Sequence, residues 1–171
     1  MEEYDAYITI FNVQKGSDPI KELDQSVIRQ LDRNYLGCFN ISISRVSFGN
    51  DSTTYLLTND RYSSIIYASA TFSFHKKGGG GSLYPLPRRY EPVLAISDVY
   101  YLFNVCTAPQ HQGRGYMRVL LKEVLLLLKR PSLVYLQVLS VNVNAISLYT
   151  RLGFTTIEQA EDSDVMVLEL K

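Results

Sequence analysis

The chain has 171 residues, a mass of 19.5 kDa and 46% hydrophobic residues, which suits one compact domain because domains cluster at about 100–200 residues. Seventeen Lys and Arg residues balance seventeen Asp and Glu residues, so no overall field attracts nucleic acid or an anionic membrane. Two cysteines and two histidines are too few for a disulfide scaffold and match no familiar zinc spacing. We expect one domain over residues 1–171, no metal, no nucleic-acid partner and a reducing compartment.

The N-terminal segment, Met1–Asp5, is acidic and lacks the apolar stretch of an export signal. The most apolar run, Val124–Leu128, is far shorter than the roughly 20 residues that span a bilayer. We therefore expect no membrane association and an intracellular location, in the cytoplasm or else the nucleus. Residues 78–82, Gly-Gly-Gly-Gly-Ser, have the composition of a flexible linker, native or engineered, and are predicted to be a loop without function.

The first half of the chain gives moderately clear patterns. Alternating residues predict a strand over Tyr4–Val13. The Asp-Pro pair at 18–19 is typical of a helix start, and the apolar spacing after it predicts a helix that stops near Gly37. Mixed β-branched residues predict strands within Phe39–Asn59, and strict alternation predicts a strand over Ser64–Phe74.

The second half shows a stronger pattern, of the order β-α-β-α-β-β. The predicted elements are a strand over Asp98–Thr107, a helix over Gly113–Arg130, a strand over Leu133–Ser140, a helix over Asn142–Leu152, and a final hairpin of Phe154–Ile157 with Val165–Leu170. The longer helix carries apolar residues at i, i+3, i+4 and i+7, and Pro131 follows its end. The chain is therefore expected to adopt an α/β (α+β) fold.

The join between the strand and the longer helix, residues 109–117, reads Pro-Gln-His-Gln-Gly-Arg-Gly-Tyr-Met. A helix N-terminus presents backbone N–H groups without intrahelical partners and the positive end of the helix dipole, so it can hold a pyrophosphate. Gly113 and Gly115 would leave that face open, and Arg114 and Arg118 would add charge-assisted contacts. The pattern predicts a phosphate-binding turn.

This join resembles the Q/R-x-x-G-x-G/A signature of the GNAT superfamily of acetyl-CoA-dependent N-acetyltransferases. The preferred register reads Gln112-x-x-Gly115-x-Met117, which keeps Pro109 at the family's usual proline position but places Met where Gly or Ala is usual. A register two residues earlier starts at Gln110 and matches the signature formally, but it misplaces the proline. The methionine predicts a slightly displaced cofactor.

A second segment strengthens the resemblance. Residues 142–154, Asn-Val-Asn-Ala-Ile-Ser-Leu-Tyr-Thr-Arg-Leu-Gly-Phe, look like the family's N-x-x-A-x-x-L-Y-x-x-x-G-F. The two segments cover about residues 105–154, and we expect the likeness to span the whole chain. It implies a mixed, mostly antiparallel central sheet with splayed middle strands, flanked by helices.

The resemblance implies acetyl-CoA as cosubstrate. The residues that it places at the cofactor are Val105, Thr107, Gln112, Gly113, Arg114, Gly115, Tyr116, Met117 and Asn142, with Asn144 as a further contact or simply a helix cap. It also implies that Tyr149 acts as general acid on the departing thiolate, since a phenol with a pKa near 10 keeps its proton at neutral pH. The alternative for Tyr149 is core packing, because the chain contains thirteen tyrosines.

The general base is less evident from the sequence. Family members often place Glu on the strand before the glycine turn, whereas residues 101–104 are Tyr-Leu-Phe-Asn. Deprotonation of the acceptor is therefore expected to run through water held by Tyr101, Asn104 or backbone carbonyls. An acidic cluster in the final hairpin could attract a cationic amine or be only a solvated turn; its members are Glu158, Glu161, Asp162 and Asp164.

The expected function is direct acetyl transfer to a primary amine, either a small polyamine-like cation or a protein lysine or N-terminus. The alternative is a non-catalytic acyl-CoA-binding or regulatory domain of the same fold, and a third reading is an α/β domain whose loop merely resembles the motif. We expect a monomer or homodimer.

Overall fold

A computed structural model describes residues 7–13, 24–46, 51–60, 65–80 and 82–171. The predicted helix start at 18–19 and the first residues of the predicted N-terminal strand lie outside these ranges. Among the described helices, none combines the length and the apolar character needed to cross a bilayer.

The described residues form seven strands and four α-helices. In chain order these are β1 Tyr7–Val13, α1 Gln25–Phe39, β2 Ser52–Thr58, β3 Ile66–His75, α2 Val93–Ile96, β4 Asp98–Thr107, α3 Tyr116–Leu127, β5 Ser132–Leu139, α4 Val143–Arg151, β6 Thr155–Gln159 and β7 Ser163–Leu170. The sheet order is β1-β2-β3-β4-β5-β7-β6. The β4–β5 pair is parallel, whereas β1–β2, β5–β7 and β6–β7 are antiparallel. The predicted α/β class and mostly antiparallel sheet with flanking helices are confirmed.

The chain divides into two compact units. The first comprises Met1–Thr71 and Asn104–Leu125, and the second comprises Phe72–Phe103 and Leu126–Lys171. Strands β3 and β4 and helix α3 each contribute to both units.

In the first unit, α1 packs an apolar stripe into the core. Asp24 caps its N-terminus by accepting a 2.7 Å hydrogen bond from the Ser26 amide, and Asn40 ends it in the left-handed conformation at φ 55°. The buried core comprises Val27, Leu31, Tyr35, Ile43, Leu56, Ile66 and Cys106.

In the second unit, the core forms on one face of β4, β5 and β7. Its buried members are Leu83, Leu86, Leu94, Val99, Leu133, Tyr135, Val165 and Val167. The residues before β4 therefore cover this face, although the sequence pattern predicted no helix or strand there.

The predictions for the first half are confirmed in part. Helix α1 begins at Gln25 behind its Asp24 cap, whereas the predicted start at 18–19 lies outside the described residues. Of the strands predicted within Phe39–Asn59, β2 is present, but α1 includes Phe39 and residues 43–45 form a 3₁₀ turn before β2. A local side-chain cap decided the helix start, and a left-handed Asn40 decided its end.

Candidate active site

Strand β4 departs from regular strand geometry near its middle. Its parallel ladder with β5 pairs Asp98–Leu102 with Ser132–Leu136. Asn104 then adopts a positive φ of 49°, which is uncommon for a residue other than glycine and interrupts regular strand geometry. The ladder thus occupies the first part of β4, as expected for a strand that splays from its neighbour farther along.

The two strand residues predicted to bind the cofactor follow this irregularity. Val105 and Thr107 are partly buried, and Cys106 between them is only 2% exposed. The strand then leads directly into the predicted phosphate-binding turn.

The turn after β4 has two glycines in conformations that favour glycine. Gly113 has a φ of +75° and Gly115 a φ of +81°. A Cβ added at either position would meet no described heavy atom within 4 Å. Because residues 112–115 are also exposed, the predicted open face of the turn is present.

Helix α3 begins immediately after Gly115. The amide of Val119 donates a 3.1 Å hydrogen bond to the Gly115 carbonyl, so the amides of residues 116–118 precede the helix's i→i−4 bonds, where an anion is favoured. The side chains of Arg114 and Arg118 are exposed beside them. Amides and guanidinium groups of this kind fit a diphosphate.

Side chains of the turn have different environments. Tyr116 and Met117 are each 7% exposed, so both side chains lie in the core. These two residues therefore present their backbone groups to the turn. The Gln112 amide lies 3.5 Å from the Thr107 carbonyl and is exposed. The methionine that departs from the family signature therefore occupies a core position on the first turn of α3.

Helix α4 carries the second predicted group of site residues. Asn142 caps the helix by accepting a 3.1 Å hydrogen bond from the Ala145 amide through Oδ1, and Asn144 is exposed. Tyr149 is 6% exposed, with its ring edge-to-face to Phe154 at a centroid distance of 5.8 Å. Burial raises the pKa of the Tyr149 phenol, so the side chain stays protonated.

The positions considered for a base hold an aromatic stack. Tyr101 lies between Phe103 and Tyr135, with centroid distances of 5.2 and 4.8 Å. Burial raises the pKa of Tyr101, which disfavours its phenolate. The nearest carboxylate on the strand, Asp98, accepts a 2.7 Å hydrogen bond from the Lys77 amide.

The acidic cluster of the final hairpin is partly engaged by the protein itself. Arg89 forms a 3.2 Å ion pair with Glu158 and donates a 2.9 Å hydrogen bond to the Ile157 carbonyl. Asp164 is 6% exposed and accepts a 2.8 Å hydrogen bond from Ser140. The sequence could not reveal these pairings, because Arg89 lies far from the hairpin along the chain.

A disulfide bond joins Cys38 of α1 to Cys106 of β4, with the two Cα atoms 6.0 Å apart. The sequence pattern did not predict this bond, since two cysteines are too few for a disulfide scaffold. The expectation of a reducing compartment does not predict such a bond, because disulfides are rare in cytosolic proteins. Within the described residues, no group of three or more His, Cys, Asp and Glu side chains could hold a metal.

Comparisons with known proteins agree with this geometry. The model of the acetyltransferase (GNAT) family matches residues 50–154. Among curated proteins, no sequence match was found.

Solved structures resemble nearly the whole chain. NAA60 of Arabidopsis thaliana in complex with acetyl-CoA is 19% identical, with a TM-score of 0.64 over 96% of this chain and 99% of that chain. The ribosomal-protein-S18-alanine N-acetyltransferase of Escherichia coli is 21% identical, with a TM-score of 0.61 over 95% and 94%. PseH of Campylobacter jejuni in complex with acetyl coenzyme A is 14% identical, with a TM-score of 0.56 over 96% and 100%.

These findings confirm the predicted fold and, through the family match, the predicted enzyme class of N-acetyltransferase. Two of the similar structures were crystallised with acetyl-CoA, which is the predicted cosubstrate. Because the matched model covers more than half of the sequence, the chain belongs to the acetyltransferase (GNAT) family.

Proposed function

We propose that the chain transfers an acetyl group directly from acetyl-CoA to a primary amine of a peptide or protein, at an N-terminus or a lysine. The observation that carries the proposal is the turn before α3. There, two open glycines with positive φ precede amides that lie ahead of the helix's own hydrogen bonds. Such a turn provides diphosphate-binding donors without a side chain in the way.

The remaining cofactor roles follow from position. Arg114 and Arg118 would supply positive charge to the diphosphate, and backbone groups of Val105 and Thr107 would contact the pantetheine arm. Asn142 uses its Oδ1 for the helix cap, so its Nδ2 is the atom left to donate to the cofactor. Acetyl-CoA supplies the thioester whose C–S bond breaks as the amine attacks.

Two proton transfers accompany the reaction. The acceptor amine must lose a proton, and we assign this step to water held by Asn104, Tyr101 or backbone carbonyls. Tyr101 acts there by hydrogen bonding, because its raised pKa disfavours the basic form. Tyr149 then donates its phenolic proton to the departing sulfur, a role that suits a phenol held in its protonated state by burial.

The engaged carboxylates favour a peptide acceptor over a small polyamine-like cation. Glu158 is neutralised by Arg89, and Asp164 is buried and hydrogen-bonded, which leaves Glu161 and Asp162 of the predicted cluster. Proteins of similar fold include the ribosomal-protein-S18-alanine N-acetyltransferase of Escherichia coli and the NatC complex bound to a Gag peptide and CoA.

A non-catalytic acyl-CoA-binding domain is the second candidate. It is motivated by Met117 at the position where the signature has Gly or Ala, and by the lack of a carboxylate among residues 101–104. This candidate predicts cofactor binding without turnover.

A three-acceptor panel tests the proposal. Thiol release from acetyl-CoA and mass spectrometry would be followed with a lysine-free peptide bearing a free α-amine, the same peptide with a blocked α-amine and one lysine, and spermidine. We expect turnover on at least one peptide and a lower kcat/KM on spermidine. A preference for spermidine would overturn the acceptor class, and binding of acetyl-CoA without turnover on any amine would support the non-catalytic candidate.

The predicted cytoplasmic location stays a prediction. The Cys38–Cys106 bond is the structural observation that weighs against it. Thiol trapping of the protein directly from cells distinguishes a reduced from an oxidised pair.

A further inference from the structure

Three aromatic side chains form a compact group beside the glycine turn, which we call the aromatic clamp: Tyr67 of β3, His111 and Tyr116. The rings of Tyr67 and Tyr116 stack at a centroid distance of 4.3 Å and an interplanar angle of 3°. The His111 ring meets Tyr67 edge-on, at 5.0 Å and 90°. Both geometries are favourable for aromatic pairs, so Tyr67 makes a good contact with each of its partners.

The aromatic clamp holds the turn from both sides. His111 precedes the exposed residues 112–115, and Tyr116 follows them. The Tyr67 carbonyl also accepts a 2.9 Å hydrogen bond from the amide of Ala108, at the start of the turn. Tyr67 therefore contacts the turn at three places: Ala108 at its start, His111 before the glycines and Tyr116 after them.

Such support matters because glycines are conformationally free. Gly113 and Gly115 gain access to positive φ at a cost in chain entropy, and nothing described lies within 4 Å of an added Cβ at either one. Their conformation must therefore be fixed by the residues on either side. The aromatic clamp supplies that constraint where the backbone would otherwise have many alternatives.

His111 contributes its ring to the aromatic clamp. Its Nδ1 is buried and has no hydrogen-bond partner among the described residues. Burial and the nearby charge of Arg114 lower the pKa of the imidazole, which favours the neutral form. A buried nitrogen without a partner is costly, so the ring contact with Tyr67 has to outweigh that cost.

We propose that Tyr67 is a positioning residue for acetyl-CoA, which through His111, Tyr116 and Ala108 holds the turn in the conformation that presents its amides to the diphosphate. This inference rests on the proposed function, because it assigns the diphosphate to the same turn. Tyr67 acts through the turn and is not itself placed at the reacting atoms.

Substitution of Tyr67 in the full chain tests the inference. Tyr67→Leu removes the stacking and edge contacts, and we expect it to raise KM for acetyl-CoA and Kd for CoA by about fivefold to tenfold. We expect kcat at saturating acetyl-CoA to stay within about twofold, because a preformed turn changes binding rather than the chemical step. Tyr67→Phe keeps the ring and is expected to restore both constants to within about twofold of wild type.

Phe74→Leu is the matched control. Phe74 lies on the same strand and also pairs with a tyrosine, at a centroid distance of 5.1 Å from Tyr100, but it belongs to no proposed binding element. It should lower the thermal midpoint without changing KM for acetyl-CoA. An equal rise of KM in Phe74→Leu, or a KM for folded Tyr67→Leu within twofold of wild type, would refute the positioning role.

Two further measurements keep the outcome decisive. If Tyr67→Leu fails to fold, His111→Leu replaces it, with the same expected rise in KM and Kd. Gly115→Val, which places a side chain on the open face, separates this inference from the proposed function. If Gly115→Val loses CoA binding but the aromatic-clamp variants keep it, the positioning role is refuted and the proposed function stands. If the wild-type protein does not bind CoA, both the positioning role and the proposed function are refuted.

Discussion

At the residue scale, Tyr149 shows how a single environment can suit a side chain to a chemical role. Its ring is buried beside Phe154, and its backbone carbonyl accepts a 3.0 Å hydrogen bond from the Phe154 amide. The same burial that makes Tyr149 look like a core residue raises its pKa and preserves its proton. Packing and proton donation are therefore compatible, and activity measurements have to separate them.

We predict that Tyr149→Phe lowers kcat severalfold or more while leaving Kd for CoA within about twofold, because loss of a general acid affects the chemical step and is often worth a hundredfold or more. Phenylalanine retains the buried ring, so the fold should persist. Because the folded-state pKa is raised, ionisation of Tyr149 should cause no fall in wild-type kcat below about pH 10.

Tyr35→Phe serves as the comparison for this substitution. Tyr35 is also buried but belongs to the core around α1, and loss of its hydroxyl should leave kcat unchanged. Equal kcat values for wild type and Tyr149→Phe across the pH range would show that Tyr149 has a purely structural role.

At the scale of elements, the disulfide bond connects α1 to β4. Cys38 lies near the end of α1, and Cys106 lies between the two β4 residues assigned to the cofactor arm, 68 positions along the chain. A cross-link over so long a segment restricts the unfolded chain strongly. We therefore expect the bond to contribute to the free energy of unfolding.

The double variant Cys38→Ala/Cys106→Ala should lose about 4 kcal/mol of unfolding free energy on the chain-entropy model for a separation of 68 residues. Urea unfolding monitored by circular dichroism measures the loss. The sequence holds two cysteines, so reductant should destabilise wild type by a similar amount and leave the double variant unaffected. A wild-type protein insensitive to reductant would show that the two sulfurs are not joined in solution.

Sequence patterns predicted the elements unequally. From β4 onward, strict alternation or helical spacing of apolar residues located every strand and helix, with α3 shorter than expected at both ends. Around α1, single residues decided the boundaries: Asp24 as cap and Asn40 as left-handed terminator. The glycine turn was also predictable, because its residue types are tied to local backbone geometry.

Features that depend on distant residues could not be predicted. The Cys38–Cys106 bond, the Arg89–Glu158 pair and the stacking of Tyr67 on Tyr116 each join residues far apart in the chain. No periodicity encodes such proximity, which arises only when the strands take their order in the sheet.

At the scale of the whole molecule, the many tyrosines affect stability at high pH. Burial raises the pKa values of several of them, namely Tyr35, Tyr100, Tyr101, Tyr135 and Tyr149. In the unfolded chain a tyrosine ionises near pH 10. Above that pH the unfolded state binds fewer protons than the folded state, so the stability present below pH 10 must fall as the pH rises.

Tyr35 gives the sharpest test of this effect, because burial raises its pKa to about 12. Between about pH 10 and 12, each such tyrosine lowers the unfolding free energy by up to about 1.4 kcal/mol per pH unit. Tyr35→Phe should therefore make the decline shallower, on top of a pH-independent loss from the Ser69 hydroxyl, which donates a 3.4 Å hydrogen bond to the Tyr35 oxygen. Urea unfolding at a series of pH values measures the decline in both proteins. Parallel wild-type and Tyr35→Phe curves would mean that Tyr35 ionises alike in the folded and unfolded chains, and that its hydroxyl reaches water in the native protein.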